Sequence, residues 1–214
     1  MSQVTVHAIT GSPFARAVLA TLIEKGAPYR HAPMVPGQHK SPEYLARHPF
    51  GRVPIIEHDG FELYETQAIL RYLDRVFPDP ALTPADPRAA ARMDQAMNVT
   101  DWYFFRVVGV GIVFNRVVAP RLGFPSNEEA VTAALPESRV ILKAIEGLLG
   151  DKPYMAGDKL TLADLHLGPQ IDMLAQCSEG REMLDGSPLE AWLARLNARP
   201  SFSATTWDQL AAAA

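Results

Sequence analysis

Val53-Pro54-Ile55-Ile56-Glu57-His58-Asp59-Gly60-Phe61-Glu62-Leu63-Tyr64 is the stretch from which the fold of this chain is best read. Two runs rich in apolar residues flank Asp59-Gly60, and an Asp-Gly pair in that setting is a strong signal of a two-residue hairpin. Toward the N-terminus, Val4-Thr5-Val6-His7-Ala8-Ile9 reads as a strand, and Tyr29 to Val35 as a second, weaker one. Between them Ala15, Val18, Leu19, Leu22 and Ile23 recur at helical spacing, and Gly26 ends that helix as a C-cap glycine. Toward the C-terminus, Ile69, Tyr72, Leu73, Val76 and Phe77 form another helical stripe. The order β-α-β, then β-β-α, predicts a small mixed sheet with helices on its faces, because a β-α-β crossover is right-handed and folds its helix back onto the sheet.

Proline then interrupts the pattern. The chain has 18 prolines in 214 residues, and Pro78, Pro80, Pro84 and Pro87 crowd one short stretch. Each fixes its own φ and pushes the preceding residue away from helix. Residues 79–86 are therefore expected to link a first domain, 1–78, to a second, 87–214. Beyond the linker the apolar pattern is almost entirely helical. Asp86-Pro87 offers an N-cap with proline in the first turn, and the stripe runs through Met93, Met97, Trp102 and Phe105 toward Gly123. A further helix is expected from near Glu128 to Leu149, and Thr161-Leu162-Ala163-Asp164 has capping-box spacing. The expected architecture is an α/β domain followed by an all-α domain.

Composition removes several classes of function. With 20 basic and 24 acidic side chains the formal net charge is −4, and residues 1–80 carry none of it, which argues against a nucleic-acid partner. One cysteine, Cys177, excludes an internal disulfide, a Cys-x-x-Cys pair and a thiolate zinc cluster. His31, His39, His48 and His58 are scattered over different segments rather than set at ligand spacing, so no metal is assigned. No contiguous apolar run approaches the ~18 residues of a membrane span, and Met1-Ser2-Gln3-Val4 opens without a charged-then-apolar leader. The expected setting is cytoplasmic, with no membrane partner.

A few residues carry possible chemistry. Ser12 stands between the first strand and the first helix. Serine before Pro13 is a good cap, and a hydroxyl at a helix N-terminus also faces a space where an anion can sit. Nothing around it resembles the Gly-x-Ser-x-Gly elbow of a hydrolase. Pro54 cannot donate to a strand ladder, so it is either an ordinary edge proline or a cis bend that frees the backbone of Val53. Glu65-Thr66, where a strand yields to a helix, either caps that helix or presents an acid and amide groups to a zwitterion. His39-Lys40 lies in a loop ahead of Ser41-Pro42-Glu43.

Taken together these residues resemble the glutathione transferase family, and most closely its serine-type phi class. The resemblance is sharpest in Gly37-Gln38-His39-Lys40-Ser41-Pro42-Glu43-Tyr44-Leu45, in His48-Pro49-Phe50-Gly51-Arg52-Val53-Pro54 and in Tyr64-Glu65-Thr66, with Leu160-Thr161-Leu162-Ala163-Asp164 in the second domain. It implies a thioredoxin-like first domain that binds glutathione as co-substrate and a helical second domain that supplies an electrophile pocket. Ser12 would face the glutathione sulfur as the catalytic residue. His39 and Lys40 would hold the glycyl carboxylate with Arg52 beside it. Val53, before a cis-Pro54, would pair with the cysteinyl unit, and Glu65 and Thr66 would take the γ-glutamyl end. Pro13, Phe114 and Val118 would line the electrophile pocket, although helix–helix core is an equal reading of the last two. Asp164 is expected to be structural. The implied activity is conjugation of glutathione to a hydrophobic electrophile by a homodimer with a role in detoxification. A non-catalytic binding module and a glutathione-dependent peroxidase are the alternatives.

Overall fold

A computed structural model describes residues 2–213. They divide into two compact units: the first joins the residues up to Leu82 with those from Ala198 onward, and the second is Thr83–Asn197.

The first unit is built on a four-stranded sheet of order β2-β1-β3-β4, from β1 (Val4–Ile9), β2 (Tyr29–Met34), β3 (Ile55–His58) and β4 (Phe61–Tyr64). β1 and β2 run parallel, joined by α1 (Pro13–Glu24), and β3 is antiparallel to both β1 and β4. Alternation along the strands decides what is buried. Val4, Val6, Ala8 and Ile56 are fully buried, as are Val18 and Leu22 of α1 and Ile69, Leu70 and Leu73 of α3 (Thr66–Val76). Each such aliphatic side chain contributes roughly 1.5–3 kcal/mol of burial. α1 ends as Gly26 directs: its N–H donates to Ile23 O and that of Ala27 to Leu22 O, the paired bonds of a Schellman motif. At the hairpin both Asp59 (φ 51°) and Gly60 (φ 76°) are left-handed, as a type I′ turn requires.

Three local expectations change. β3 begins at Ile55, so Val53-Pro54 lies just outside the ladder, where a residue without an N–H loses nothing. The loop expected around His39 is a 3₁₀ turn, Gln38–Lys40, followed by α2 (Pro42–Arg47), whose cap Ser41 accepts the Tyr44 N–H. The stretch read as a linker is held down at its start. The buried Lys25 ammonium donates to Asp74 and to Pro80 O, while Asp74 Oδ1 also accepts the Leu82 N–H at 2.9 Å.

The second unit contains α4 (Pro87–Val99), α5 (Ala119–Arg121), α6 (Glu128–Leu149), α7 (Leu162–Leu174), α8 (Ser178–Leu184) and α9 (Pro188–Asn197). Asp86 caps α4 by accepting the Ala89 N–H at 2.8 Å. Between α4 and α5 the helix does not stop but widens into a π-helical run, Thr100–Val118, with i→i+5 hydrogen bonds. Burial along this run overturns part of the sequence stripe. Met93 and Met97 are fully buried, but the buried row continues through Thr100, Phe104, Val108 and Ile112, while Trp102 is 57% exposed. The continuous helix Pro87–Arg121 is long and apolar enough to cross a membrane by length and composition, a feature that counting contiguous apolar residues does not detect; 44% of its most apolar window is buried inside the protein.

α7 is buried on nearly every side, and Asp164 in its first turn is wholly inaccessible. Its Oδ1 accepts the Met155 N–H (2.8 Å) and the Trp192 indole N–H (2.9 Å). Its Oδ2 accepts the N–H (2.8 Å) and hydroxyl (2.7 Å) of Thr161. Burial pushes this carboxyl above the ordinary range, against the opposing pull of those donors.

The closing residues, expected to belong with the helical domain, pack in the first unit against α1. They form α10 (Pro200–Ser203) and α11 (Trp207–Ala212). Arg199 donates two 2.7 Å hydrogen bonds to Glu24, and Ser201 donates to the same carboxylate. The buried Arg16 donates to Phe202 O at 3.1 Å and lies over the Phe202 ring.

Candidate active site

Strand register brings most of the candidate residues to one end of the sheet. His7 of β1 pairs with Ile55 of β3, and Ile55 with Tyr64 of β4. The segment after β1, the segment before β3 and the segment after β4 therefore leave the sheet side by side. They carry Ser12, Val53-Pro54 and Glu65-Thr66 respectively. β2 is parallel to β1 with Ile9 opposite Met34, so the segment bearing His39 and Lys40 departs from the same end.

Ser12 caps α1 by accepting the Ala15 N–H at 3.3 Å. The cap uses a lone pair of Oγ and leaves the O–H free to donate to an anion at the positive end of a twelve-residue helix. Capping and anion binding, alternatives in the sequence, are compatible in this geometry. The Val53–Pro54 bond is cis.

Gly51 draws the His39–Lys40 turn against the segment before β3. A Cβ there would stand 2.8 Å from His39 O and 3.0 Å from Lys40 Nζ, so only glycine allows the approach. Lys40 Nζ donates to Gly51 O at 2.8 Å. His39 Nδ1 is buried without a hydrogen-bond partner, and burial together with the Lys40 charge lowers the pKa of the ring. At neutral pH His39 thus offers a neutral imidazole, with the positive charge left to Lys40 and to the exposed Arg52.

Sequence reasoning missed Tyr44 as part of this site. Its ring is 5% exposed, and its hydroxyl donates to Arg52 O at 2.7 Å, steadying the backbone that leads into Val53. Burial pushes the phenol up to about 12, so it remains a donor at working pH. Tyr44→Phe is expected to raise KM for glutathione about 3- to 10-fold with kcat little changed, the scale of one neutral hydrogen bond. Steady-state kinetics with glutathione varied would check this, and an unchanged KM would remove Tyr44 from the site.

Glu65 is one of two non-glycine residues with positive φ among the described residues (φ 70°, ψ 111°) and stands at the N-cap of α3 without capping it through its side chain. Such a conformation costs about 1–3 kcal/mol and is found mostly where function requires it. Its carboxylate is exposed, and Thr66 behind it is buried.

The electrophile candidates fall in different units. Pro13 is half-buried in the first. In the second, Phe114 is 46% exposed and Val118 half-buried on the π-helical run, so Phe114 is not helix–helix core. Of the neighbouring aromatics, Phe104 is fully buried and Tyr103 exposed. A further network was not foreseen. Buried His58 lies 2.8 Å from both Tyr72 Oη and Ser2 Oγ, and Ser2 donates to Asp59 at 2.6 Å. With the serine proton committed to Asp59, Ser2 Oγ is left to accept from His58 Nε2. This network ties the chain start to the hairpin and lies at the opposite end of β3 from the site.

Comparison with known proteins bears on the family and the fold. Residues 6–81 match the family model described as glutathione S-transferase, N-terminal domain, and residues 93–200 that described as glutathione S-transferase, C-terminal domain. A glutathione S-transferase of Hyoscyamus muticus is 32% identical over 203 residues, 92% of this chain and 95% of that protein. Glutathione S-transferase F7 of Arabidopsis thaliana is 30% identical over 206 residues, 94% of this chain and 98% of that one. Among solved structures, glutathione transferase F2 from Populus trichocarpa superposes with a TM-score of 0.86 at 27% identity, covering 97% of this chain and 99% of that one. Glutathione S-transferase I from maize, in complex with an atrazine glutathione conjugate, gives 0.84 at 28% identity over 99% of both chains.

Proposed function

The chain belongs to the glutathione S-transferase family, most like its phi class, and from that premise we propose that it transfers the glutathione thiolate to a hydrophobic electrophile, with Ser12 stabilising the thiolate. The observation that carries this reading is the capping geometry of Ser12, with its hydroxyl free to donate at the sheet end where the cis Val53–Pro54 segment and the Glu65–Thr66 helix start also emerge.

The energetics suffice without a general base. A free thiol with pKa ~8.5 is only a few per cent thiolate at pH 7. Lowering it by about two units requires ~2.7 kcal/mol of preferential stabilisation. A charge-assisted hydrogen bond from Ser12 contributes roughly 1.5–3 kcal/mol, and the N-terminus of α1 about 0.3–1 more. The thiol proton passes to water. The sulfur lone pair then forms the bond to carbon. With an aromatic halide the halide departs with its electron pair; with an unsaturated carbonyl the π pair moves to the carbonyl oxygen and the resulting enolate takes a proton from water. His39, Lys40 and Arg52 are suited to the glycyl carboxylate, the Val53 backbone to the cysteinyl unit, and Glu65 and Thr66 to the γ-glutamyl amine and carboxylate. Phe114 and Val118 give the helical unit apolar surface of the kind a hydrophobic electrophile favours, and Pro13 follows the serine in the first unit. Homodimerisation is part of the same family-based reading.

Titrating glutathione into the protein, following heat and the ultraviolet thiolate band together, tests the proposal, with aromatic halides and unsaturated carbonyl compounds as electrophiles. Binding with a thiolate band at neutral pH and turnover of an electrophile is expected. Tight binding without turnover of any electrophile would favour a binding module, turnover of hydroperoxides alone a peroxidase, and no binding would remove the glutathione site altogether.

A further inference from the structure

The closing segment of the chain contributes a contact that the catalytic reading does not use. A Cβ placed on Gly11 would stand 2.5, 2.5 and 2.6 Å from Cδ2, Cε3 and Cε2 of Trp207. Three fused-ring atoms at nearly one distance put the face of the indole, not its edge, on the glycine. Gly11 has φ +90°, a conformation other residues resist, and it is the residue immediately before Ser12. The Ser12 N–H closes this turn on Ile9 O at 3.1 Å. The turn that sets the direction of the Ser12 side chain is therefore covered by an indole, and any side chain at position 11 would displace it.

The indole is held where it is by the rest of the segment. Arg199 and Ser201 grip Glu24 in the last turn of α1, and Arg16, one turn below Ser12, is fixed by Phe202 O and the Phe202 ring. Phe202 is itself fully buried. The closing segment thus grips the serine-bearing helix along its whole length, with Trp207 at the end that bears Ser12.

We propose that this segment is a clamp and that Trp207 is a positioning residue for thiolate stabilisation, acting through Gly11 on the direction of the Ser12 hydroxyl. The proposal rests on Ser12 being the residue that faces the sulfur. A single hydroxyl donor is sensitive to aim, because hydrogen bonds weaken steeply as their angle closes toward ~120°, and a misplacement of about 1 Å can cost ~10²-fold in rate. A flat ring pressed on the turn limits that freedom without touching the substrate.

The test compares wild type, Trp207→Leu, Trp207→Phe and Ser12→Ala, titrating the thiolate band of bound glutathione against pH and measuring kcat and KM. Trp207→Leu is expected to raise the apparent pKa of the bound thiol by about one pH unit and so lower kcat at slightly acid pH roughly tenfold. KM for glutathione should stay within about twofold, because the groups proposed to bind the peptide are untouched. Trp207→Phe, which keeps an aromatic face, should recover most of the loss. A loss of general packing alone would lower the thermal midpoint without moving the thiol titration. A folded Trp207→Leu protein with the wild-type titration overturns the clamp. Should that variant not fold, Trp207→Met, which keeps volume but no flat ring, decides, with a rise of the same order expected and an unchanged titration overturning the proposal. Loss of the low-pH thiolate in Ser12→Ala but not in the Trp207 variants sinks the clamp alone. An unchanged titration in Ser12→Ala removes the serine reading, and the clamp with it.

Discussion

Ser12→Ala should lose roughly 10- to 150-fold in kcat at neutral pH, the equivalent of one charge-assisted hydrogen bond of about 1.5–3 kcal/mol. Affinity for glutathione should survive, because the groups suited to its two carboxylates and its amine are elsewhere. The substitution has a second effect that must be separated from the first. Ser12 also caps α1 through the Ala15 N–H, and alanine at an N-cap costs about 0.5–2 kcal/mol of stability. Ser12→Asp separates the two. Aspartate caps a helix as well as serine does, so the thermal midpoint should stay near that of wild type. Its negative charge beside the sulfur should nonetheless abolish the thiolate band, since like charges disfavour ionisation. If Ser12→Asp kept the thiolate, or if Ser12→Ala kept its rate, the hydroxyl would be a cap and nothing more.

Asp164→Ala should be the most damaging substitution outside the proposed site. It leaves the buried N–H groups of Met155, Thr161 and Trp192 without their shared acceptor. Each unsatisfied buried donor costs about 1–3 kcal/mol, so the sum approaches the whole stability of a typical domain, about 5–15 kcal/mol. The expected result is little soluble protein, or a midpoint of denaturation far below that of wild type. Asp164→Asn should rescue only in part, because the amide keeps one acceptor and turns two donors toward groups that themselves donate. Equilibrium denaturation of the three proteins checks this, and a wild-type midpoint for Asp164→Ala would show that the network bears little weight.

Which features could be read from the sequence follows from how local their causes are. The Asp59-Gly60 turn, the Gly26 helix stop and the Asp86 cap are decided by neighbouring residues, and each stands where the sequence put it. The positions of Ser12, Lys40 and Glu65 at segment boundaries were equally legible, since caps and strand ends are local. The rest depends on the fold as a whole. No pattern within the chain announces that Tyr44 will reach Arg52 O, or that Ser2 and Tyr72 will close on His58, because those partners meet only once the sheet and its helices are assembled. The stripe failed at Trp102 for a definable reason: five residues separate it from Met97, off the 3.6-residue period, whereas Thr100 and Phe104 follow at spacings of three and four and are buried. α2 was missed because six residues with a proline start show too little period to register.

The packing of the closing residues on α1 also bears on how the protein is made. The first unit is not contiguous in the chain, since the 115 residues Thr83–Asn197 separate its two parts. At a synthesis rate of roughly 5–20 residues per second, about 6–23 s pass between the emergence of Leu82 and that of Ala198. Throughout that interval Arg16 of α1 lacks Phe202, Gly11 just before the helix lacks Trp207, and Glu24 lacks the arginine that meets it in the finished molecule. The helical unit, whose sequence is uninterrupted, can complete itself in the meantime. The half that begins first on the ribosome is thus the half that finishes last.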